Sequence, residues 1–552
     1  MRATPWLVLA IWACGCGEPV PFSDWEWAEL EKLANLPDPP PDQSNAFASN
    51  PAAAALGQRL YFDPAFSGVA LLKDSLYRDM PYARAGEGEE LAISCATCHD
   101  PARGGSDVTS LPRNVSIGGG GYDVNAQPTL NAAYYPLTYW NGRNDSLWSQ
   151  IVAVAESDVS MAGDRMEIVW RMADAYRTEY QALFASYPLP AELDSIAAQQ
   201  ARLEADGTCK LVVGVCPAPH CRTQMNTMGQ SFCLPRFPLR GKPGYEGRLG
   251  VVEEGVQRLC QRGMSTYPPE PFADAYDCMD IFDQRAVTRI FVNWAKAIAA
   301  YEHTLVSRNS LFDRFVAEGP DSTLLSPAAR RGARLFVGKA SCVDCHSTPL
   351  FSDGLFHNVG VPQIGDLVPT VADCPADGWC DCVTDDTADP QNCLPIGYRE
   401  GLRRLQSNTF RRDSFWSDDT ACQSKAVFHS DPLYIAGHLD ECEGRVRFYA
   451  KLIDTTVPKE TYVGRWRTPS LRDVALTGPY MHNGVFTSLT DVLWHYNRGG
   501  SSYGVVGAKS PRLRPLALTE DEMSDLVAFL ESLDGEPLPP ELTQAPADIP
   551  PP

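Results

Sequence analysis

Beyond its first residues, the sequence has no apolar run long enough to span a bilayer, and it is poor in basic residues. No later stretch approaches 18 consecutive apolar residues, which argues against a transmembrane helix. The 47 Lys and Arg residues are outnumbered by 69 Asp and Glu residues, giving a net charge of −22. Because nucleic acid binding requires a basic surface, this charge argues against that class of ligand. It would suit a basic redox partner, or simply keep the protein soluble.

Long alternating patterns typical of strands and repeats of 20–50 residues are also missing. Helical patterning predominates, and the apolar content of 44% is typical of a globular protein. Helices are expected near residues 52–62, 145–186, 286–301, 327–336 and 520–533. We therefore predict a mainly α fold, with two to three domains in 552 residues.

Histidine is scarce, with nine residues in the chain, and two of them complete a Cys-x-x-Cys-His signature. The signature occurs at Cys95, Cys98 and His99 and again at Cys342, Cys345 and His346. Composition alone predicts about 0.01 such matches per chain. The signature is that of covalent haem c attachment, in which two thiols bind the porphyrin and the histidine ligates the iron. A redox or zinc-binding Cys-x-x-Cys with an accidental histidine is the alternative for each motif.

The N-terminus predicts export. Residues 1–16 combine one Arg, a short apolar run and small residues before a cysteine, as in a lipoprotein-type signal. Cys14 or Cys16 would carry the lipid, and an ordinary cleaved signal peptide is the alternative. Residues 17–50 are rich in Pro and Asp and are predicted to be a tether. The expected location is the periplasm or cell envelope, with membrane contact only through the anchor.

Twelve further cysteines fall into two sets of six, inside segments rich in loops. They are Cys209, Cys216, Cys221, Cys233, Cys260, Cys278, and Cys374, Cys380, Cys382, Cys393, Cys422, Cys442. In an exported protein such even sets predict disulfides, so we expect disulfide-rich loop insertions at 205–282 and 366–442. A zinc cluster is the less favoured alternative because paired spacing is missing. The Pro-rich tail 537–552 is predicted to be disordered.

Several further stretches, taken with the two haem motifs, resemble the bacterial di-haem cytochrome c peroxidase and MauG-like family. The stretches are Leu56–Pro64, Tyr139–Arg143, Leu335–His346, Phe356–Pro362, Arg467–Arg472, Pro479–Gly484 and His495–Gly500. The resemblance implies two cytochrome c-like haem domains, at 51–322 and 323–536. It also implies electron flow from the C-terminal haem, supplied by a small periplasmic cytochrome c or cupredoxin, to the N-terminal haem, where hydrogen peroxide is reduced.

The resemblance also assigns residues between the two haems. Trp140 would be the inter-haem tryptophan, with a packed core aromatic as the alternative. One Ca²⁺ would be bound by the side chain of Asn125 and the carbonyls of Thr477 and Pro479, all oxygen ligands that suit this cation.

The sixth ligand of the second iron distinguishes members of the family. Classical peroxidases place a methionine fourteen residues after the histidine that corresponds to His482, and this sequence has Tyr496 there. A Tyr496 ligand would resemble MauG and would stabilise ferric and high-valent iron. Met481 is the competing ligand, and a tyrosine packed in the core is the third interpretation.

At the first haem, the family's distal histidine falls within 116–121, which here is glycine-rich and includes Gly119. No histidine occurs from 100 to 219, so we expect an open sixth position at this iron. The family's acid-base glutamate corresponds to Ser160, which would shuttle protons poorly. Glu156 or Asp158 would substitute if the loop were shifted.

These departures leave three functions open. The leading one is a di-haem peroxidase with two haem c groups. The first alternative is a MauG-like enzyme that oxidises a protein or organic substrate through high-valent haem, or oxygenates one with dioxygen as in rubber-oxygenase relatives. The second is a non-catalytic electron-transfer cytochrome.

Overall fold

The computed structural model describes most of the chain and divides it into well-defined segments. The described residues are 21–70, 89–107, 116, 118–120, 124–205, 221–225, 231–242, 276, 279–364, 397–419 and 463–551. The predicted signal, together with most of both cysteine-rich insertions, lies outside these residues. Among the described helices, none is both long and apolar enough to cross a membrane.

The described part of the chain is mainly helical, as the sequence predicts. The helices are α1 Asp24–Leu33, α2 Pro51–Phe62, α3 Cys95–Cys98, α4 Leu147–Ala155, α5 Arg165–Ala175, α6 Arg177–Leu183, α7 Ile196–Ala205, α8 Ile281–Glu302, α9 Leu311–Glu318, α10 Pro327–Val337, α11 Tyr398–Ser407, α12 Leu489–Asn497, α13 Glu520–Glu531 and α14 Pro540–Thr543. Short 3₁₀ turns include Pro64–Phe66, Pro101–Arg103, Ala132–Tyr134, Cys342–Asp344 and Val474–Leu476.

Strands form two small antiparallel pairs in the described residues. β1 Cys221–Met225 pairs with β2 Ser231–Pro235. β3 Phe356–His357 pairs with β4 Trp466–Arg467, with Phe356 opposite Arg467. The second pair joins segments more than 100 residues apart and fixes the backbone beside Trp140, because the N–H of Arg467 also donates to the Trp140 carbonyl at 2.8 Å.

The first hydrophobic core is built around α8, which is buried along most of its length. Helices α2, α4 and α5 pack against it, and the core includes Trp148, Phe291 and Trp294. Contact between α2 and α8 is close at Gly57, where a Cβ would lie 1.9 Å from the carbonyl oxygen of Ala297. Only glycine permits this approach.

The second core is built from α9, α10 and α13 around four packed phenylalanines. They are Phe312, Phe336, Phe351 and Phe529. The helix starts agree with the sequence signals. Ser326 caps α10 with Pro327 at its first position, and Thr519 forms a capping box with Glu522 at α13. The change from first to second core falls between Leu305 and Phe312, ahead of the predicted boundary at 322.

The prediction of a tether over 17–50 is wrong for the described residues. Asn45 donates its side-chain N–H to the carbonyl of Lys296 in α8 at 2.9 Å. Residues 24–33 form α1, whose Leu30 and Leu33 are fully buried in the second core. Glu26 pairs with Arg334 of α10 at 3.1 Å. Apolar residues at helical spacing, among the polar ones, explain why this segment folds.

The prediction of a disordered tail over 537–552 is also wrong for residues 537–551. Leu538 and Leu542 pack against the first core. Gln58 donates to the carbonyl of Glu541 at 2.6 Å, and Arg171 donates to the carbonyl of Pro550 at 2.7 Å. The tail is held largely through its backbone carbonyls, which composition does not reveal.

Parts of the two predicted insertions are among the described residues, and these parts include regular secondary structure. Cys221 of β1 is disulfide-bonded, while the pairing within both cysteine sets lies outside the described residues and stays a prediction. Residues 397–419 include α11, whose Tyr398 stacks on Phe356 with ring centroids 3.8 Å apart. Phe410 and Trp416 of the same segment pack against the first core. This part of the second insertion is therefore ordered structure rather than irregular loop.

Candidate haem-binding cavities

The first Cys-x-x-Cys-His motif forms a short helix that directs its histidine into a cavity. Ser94 precedes α3, and the half-buried His99 follows it. The Nδ1 atom of His99 lies 3.2 Å from the carbonyl oxygen of Gly105. A carbonyl only accepts, so Nδ1 carries the proton and Nε2 is left as a metal ligand.

The second motif repeats this arrangement on a 3₁₀ turn. The Nδ1 atom of His346 lies 2.6 Å from the carbonyl oxygen of Phe351, so its Nε2 is again the free donor. Burial raises the pKa of the Cys95 thiol, and it raises the pKa of the Cys342 thiol to about 12. All four motif cysteines line the cavities that covalently attached haems would fill.

Each motif histidine lines a large cavity. The first cavity holds Cys95, Cys98 and His99. The second cavity is mostly apolar and holds Cys342, Cys345 and His346. Among the described residues that line these cavities, Trp140 and Arg467 line both. The two predicted haem sites therefore meet at these two side chains.

Trp140 is buried at this junction, with 7% of its surface exposed. Its indole N–H donates to the carbonyl of Asn125 at 2.9 Å. Val124 and Trp466 pack with it in a small apolar cluster. Trp140 thus lies between the two cavities, and its role between two haems stays a prediction.

Arg467 is a buried guanidinium beside Trp140. It lies over the ring of Tyr135, with the Cζ atom 3.5 Å from the ring centroid, and its Nη1 atom is buried without a hydrogen-bond partner. Burial lowers the pKa of this group. A buried guanidinium that lines two cavities and has a free Nη1 atom fits the propionate carboxylates of a haem. Arg467 belongs to one of the stretches that resemble the family, but the sequence indicated no role for it.

The predicted calcium ligands Asn125 and Pro479 lie together. The Asn125 amide nitrogen is 2.7 Å from the carbonyl oxygen of Pro479, and its Oδ1 atom is buried without a partner. Rotating this amide by 180° would turn Oδ1 toward the carbonyl, and the two oxygens would then suit a hard cation. Thr477 lies two residues away in sequence, and no described hydrogen bond links it to Asn125.

The glycine-rich segment is held against the loop that carries Ser160. The N–H of Gly119 donates to the carbonyl of Ser160 at 2.6 Å, and a Cβ at Gly119 would lie 2.2 Å from the carbonyl oxygen of Asp158. Gly118 and Ser160 line the first cavity, but Gly119 is not among its described lining residues. The Oγ atom of Ser160 is buried without a partner, so the contribution of Gly119 here is backbone support.

Neither acidic residue considered as a substitute for Ser160 lines the first cavity. Glu156 makes two hydrogen bonds to Arg165, at 2.8 and 2.7 Å. Asp158 lies 3.7 Å from the buried Lys242. Both carboxylates are therefore directed to cations outside the described lining of the cavity.

Sequence reasoning missed two polar residues that do line this cavity, Gln150 and Glu302. Glu302 ends α8 and is 8% exposed. Burial raises its pKa to about 8, so the carboxyl is largely protonated at neutral pH. Its only sequence signal was an acid at the end of an apolar helix, where the helix dipole disfavours a negative charge.

The second cavity holds every candidate for the sixth ligand of its iron. The candidates Met481 and Tyr496 both line it, together with His346 and His482. His482 stacks on Trp466, with ring centroids 4.0 Å apart, and burial lowers its pKa to about 3. Burial also raises the pKa of Tyr496, with the neighbouring Cys345 and Cys342 sulfurs adding to the shift. The structure thus leaves Tyr496 and Met481 both within the cavity.

A carboxylate–imidazole pair stands beside the second motif and was not predicted. His357 Nε2 lies 2.7 Å from Asp353 Oδ2. Burial alone would lower the pKa of His357, but Asp353 and the Cys345 sulfur raise it to about 9. The three side chains could together hold a metal ion. However, attachment of haem through Cys345 would convert its sulfur to a thioether and remove that thiolate ligand.

Comparisons with known proteins give matches among di-haem cytochromes. Residues 51–205 match the family model described as di-haem cytochrome c peroxidase. A cytochrome-c peroxidase, IdrP1 of Pseudomonas sp. (strain SCT), is 28% identical over 92% of this chain and 86% of its own length. The methylamine utilization protein MauG of Methylorubrum extorquens is 25% identical over 90% of this chain and 82% of its own. The solved diheme peroxidase BthA of Burkholderia thailandensis is 18% identical, with a TM-score of 0.46, covering 89% of this chain and 88% of its own.

Proposed function

We infer from these matches that the chain belongs to the di-haem cytochrome c peroxidase and MauG-like family of oxidoreductases, and we propose that it reduces hydrogen peroxide to water with electrons from a small periplasmic donor. Electrons would be accepted at the second cavity and used at the first. The observation that carries the proposal is the shared position of Trp140, which lines both cavities.

The protein's own contribution begins with holding two haem c groups in place. His99 and His346 would each ligate iron through Nε2, with Nδ1 bonded to the carbonyls of Gly105 and Phe351. Such carbonyl partners fix the orientation of the imidazole and its tautomer. When bound, the haems supply one-electron redox chemistry and a site for peroxide. The buried Arg467 would offset the charge of their propionates.

We assign Tyr496 as the sixth ligand at the second cavity, with Met481 as the competing residue. One Ca²⁺ at Asn125, Thr477 and Pro479 completes the proposed metal set, supported by the unpartnered Oδ1 atom of Asn125. Export to the periplasm or cell envelope, with a lipid on Cys14 or Cys16, belongs to the same proposal. It rests on residues 1–16 of the sequence alone.

A MauG-like role is the second candidate, and a specific observation favours it. Ser160 replaces the expected acid-base carboxylate, and Glu156 is bonded to Arg165 instead of lining the cavity. A peroxide-cleaving site needs a group that moves a proton between the two oxygens. Without a fast one, the same machinery would act on a protein or organic substrate, or on dioxygen. A non-catalytic electron-transfer role is the third candidate.

Two measurements on the purified holoprotein separate these functions. We expect EPR of the resting ferric protein to show one high-spin haem, from the open first site, and one low-spin haem. We also expect steady turnover of peroxide with reduced cytochrome c. Two low-spin haems would contradict the open site. Rapid spectral change with negligible turnover would favour the MauG-like role, and no reaction with peroxide, dioxygen or CO would favour pure electron transfer.

A further inference from the structure

A basic segment stands out on this acidic protein. Residues 498–514, between α12 and α13, contain four cationic side chains and no acidic one. The four are Arg498, Lys509, Arg512 and Arg514. In a chain with a net charge of −22, this segment carries a local charge of +4 within 17 residues. Such local charge decides which charged partner is attracted.

The basic segment borders the second cavity. Arg512 and Arg514 are exposed, and both also line that cavity. Arg512 donates to the carbonyl of Asp344 at 2.7 Å, and Arg514 donates to the hydroxyl of Ser341 at 3.3 Å. Both guanidinium groups are thus attached to the second Cys-x-x-Cys-His motif. They mark the place where this cavity opens to solvent.

The segment presents its groups on a fixed backbone. Gln363 donates its N–H to the carbonyl of Gly504 at 2.7 Å, and the Asn358 side chain donates to the carbonyl of Val506 at 2.7 Å. Tyr503, next to Gly504, is 67% exposed. An exposed aromatic side chain on a basic segment is typical of a protein docking surface.

The charges of the segment are not neutralised by described neighbours. Within the part of the chain that the structure describes, none of the four cations forms an ion pair. Lys509, Arg512 and Arg514 donate to carbonyl or hydroxyl oxygens. Arg498 lies over the ring of Trp494. Asp344, whose backbone carbonyl accepts from Arg512, is exposed and could offset at most one of the four charges. The segment itself keeps its surplus of positive charge.

We propose that residues 498–514 form the docking surface for the electron donor, and that the donor is a small redox protein with an acidic face. Each encounter oxidises the metal centre of the donor by one electron and reduces the ferric haem of the second cavity by one. The inference rests on the proposed function only in that this haem accepts the electrons. At about 0.1 M salt the Debye length is roughly 10 Å, so the local cations outweigh the distant acidic surface.

The test measures reduction of the ferric holoprotein by stopped flow, without peroxide, at about 0.1 M ionic strength. The reductants are a reduced cytochrome c of net negative charge, one of net positive charge and a neutral hydroquinone. The variants are Arg512→Glu/Arg514→Glu and Arg498→Glu, which lies outside the described cavity lining. The matched control is Arg285→Glu/Arg314→Glu, which changes net charge equally at two exposed arginines away from the described lining.

We expect the double variant to slow the acidic cytochrome on the order of tenfold, and Arg498→Glu to slow it less. The basic cytochrome, the hydroquinone and the control variant should change less than twofold. An unchanged rate for the acidic cytochrome would overturn the docking surface. Equal slowing of all three reductants would also overturn the docking surface, because the arginines would then affect the properties of the haem and not the binding of a charged partner. Slowing of the acidic cytochrome by the control variant would overturn it too, because the net charge of the protein would then be the cause.

This outcome is independent of the peroxidase proposal. Charge-dependent reduction without peroxide turnover would keep the docking surface and reject the peroxidase. Peroxide turnover with no charge dependence would reject the docking surface and keep the peroxidase.

Discussion

The backbone N–H of Arg467 donates to the carbonyl of Trp140 at 2.8 Å, so the two residues that line both cavities are bonded to each other. Arg467 belongs to β4, and Trp140 follows Tyr139, whose φ of 63° lies in the left-handed region. The junction between the two cavities is thus fixed by a long-range backbone contact.

Replacing Trp140 with phenylalanine should slow electron transfer between the haems. The indole N–H bond to Asn125 is lost, which costs about 1 kcal/mol of stability, and the aromatic surface between the cavities shrinks. Stopped-flow spectra after peroxide addition should show the second haem responding later than in the wild type. Trp148→Phe is the control, since its buried indole N–H donates to Ser44 and it lines neither cavity. Equal slowing in both variants would contradict the assigned role.

Replacing Arg467 with glutamine should lower the reduction potentials of both haems. A buried cation stabilises the less positive ferrous state, and the Nη1 atom of Arg467 has no protein partner. The expected shift is on the order of 60 mV, a tenfold change for a one-electron couple. Redox titration of the holoprotein measures it. Arg289→Gln serves as the matched control, because Arg289 is also buried and bonded to carbonyls, outside the described linings. A shift at one haem alone would restrict Arg467 to that site.

Replacing Ser160 with glutamate should increase peroxide turnover. The Ser160 hydroxyl is buried in the first cavity without a partner, so a carboxyl placed there would supply the missing proton carrier. Such groups contribute roughly 10²-fold or more. Steady-state assays with reduced cytochrome c measure the gain. Ser157→Glu, in the same loop but outside the described lining, should show no increase. The prediction fails if both variants behave alike.

The sequence predicted what local rules control. Short-range sterics and hydrogen bonds determine where several helices begin and end. They explain the end of α2 before Pro64, the Ser326 cap of α10 and the Thr519 cap of α13. The haem motifs are equally local, and both histidines line cavities.

What the sequence could not predict depends on distant contacts. Glu302 is an ordinary helix-end acid until the fold closes the first cavity over it, and Arg467 lies on a strand of two residues that has no periodic signal. The tail escaped prediction for the same reason, since Arg171 binds carbonyls of Pro550 and Pro551 rather than side chains.

Removing residues 537–552 should destabilise the protein by about 2 kcal/mol. Leu538 and Leu542 would no longer cover the first core, and the Tyr301 hydroxyl would lose the carbonyl of Leu542. Thermal unfolding of the holoprotein measures the loss. Asp548→Asn is the control, because it removes only an exposed ion pair with Arg59, and such pairs contribute 0–1 kcal/mol. An unchanged midpoint after truncation would contradict the structural role of the tail.

Replacing Glu302 with glutamine should stabilise the protein in a pH-dependent way. Burial raises the pKa of Glu302 from its ordinary value of 4.5 to about 8. Between pH 4.5 and pH 8, the Glu302 carboxyl is therefore ionised in the unfolded chain but protonated in the folded protein. Wild-type stability therefore falls as pH rises, by about 1.4 kcal/mol per pH unit from this group.

The advantage of the Glu302→Gln variant over the wild type should thus be near zero below pH 4.5, grow between pH 4.5 and 8, and stay constant above pH 8. Unfolding by urea, followed at several pH values, measures this difference. Glu531→Gln, at an exposed position of α13, is the control for removing one carboxylate from the chain. A flat difference for Glu302→Gln would mean that its carboxyl is already ionised at neutral pH. In that case Glu302 could not serve as a protonated hydrogen-bond donor to a ligand in the first cavity.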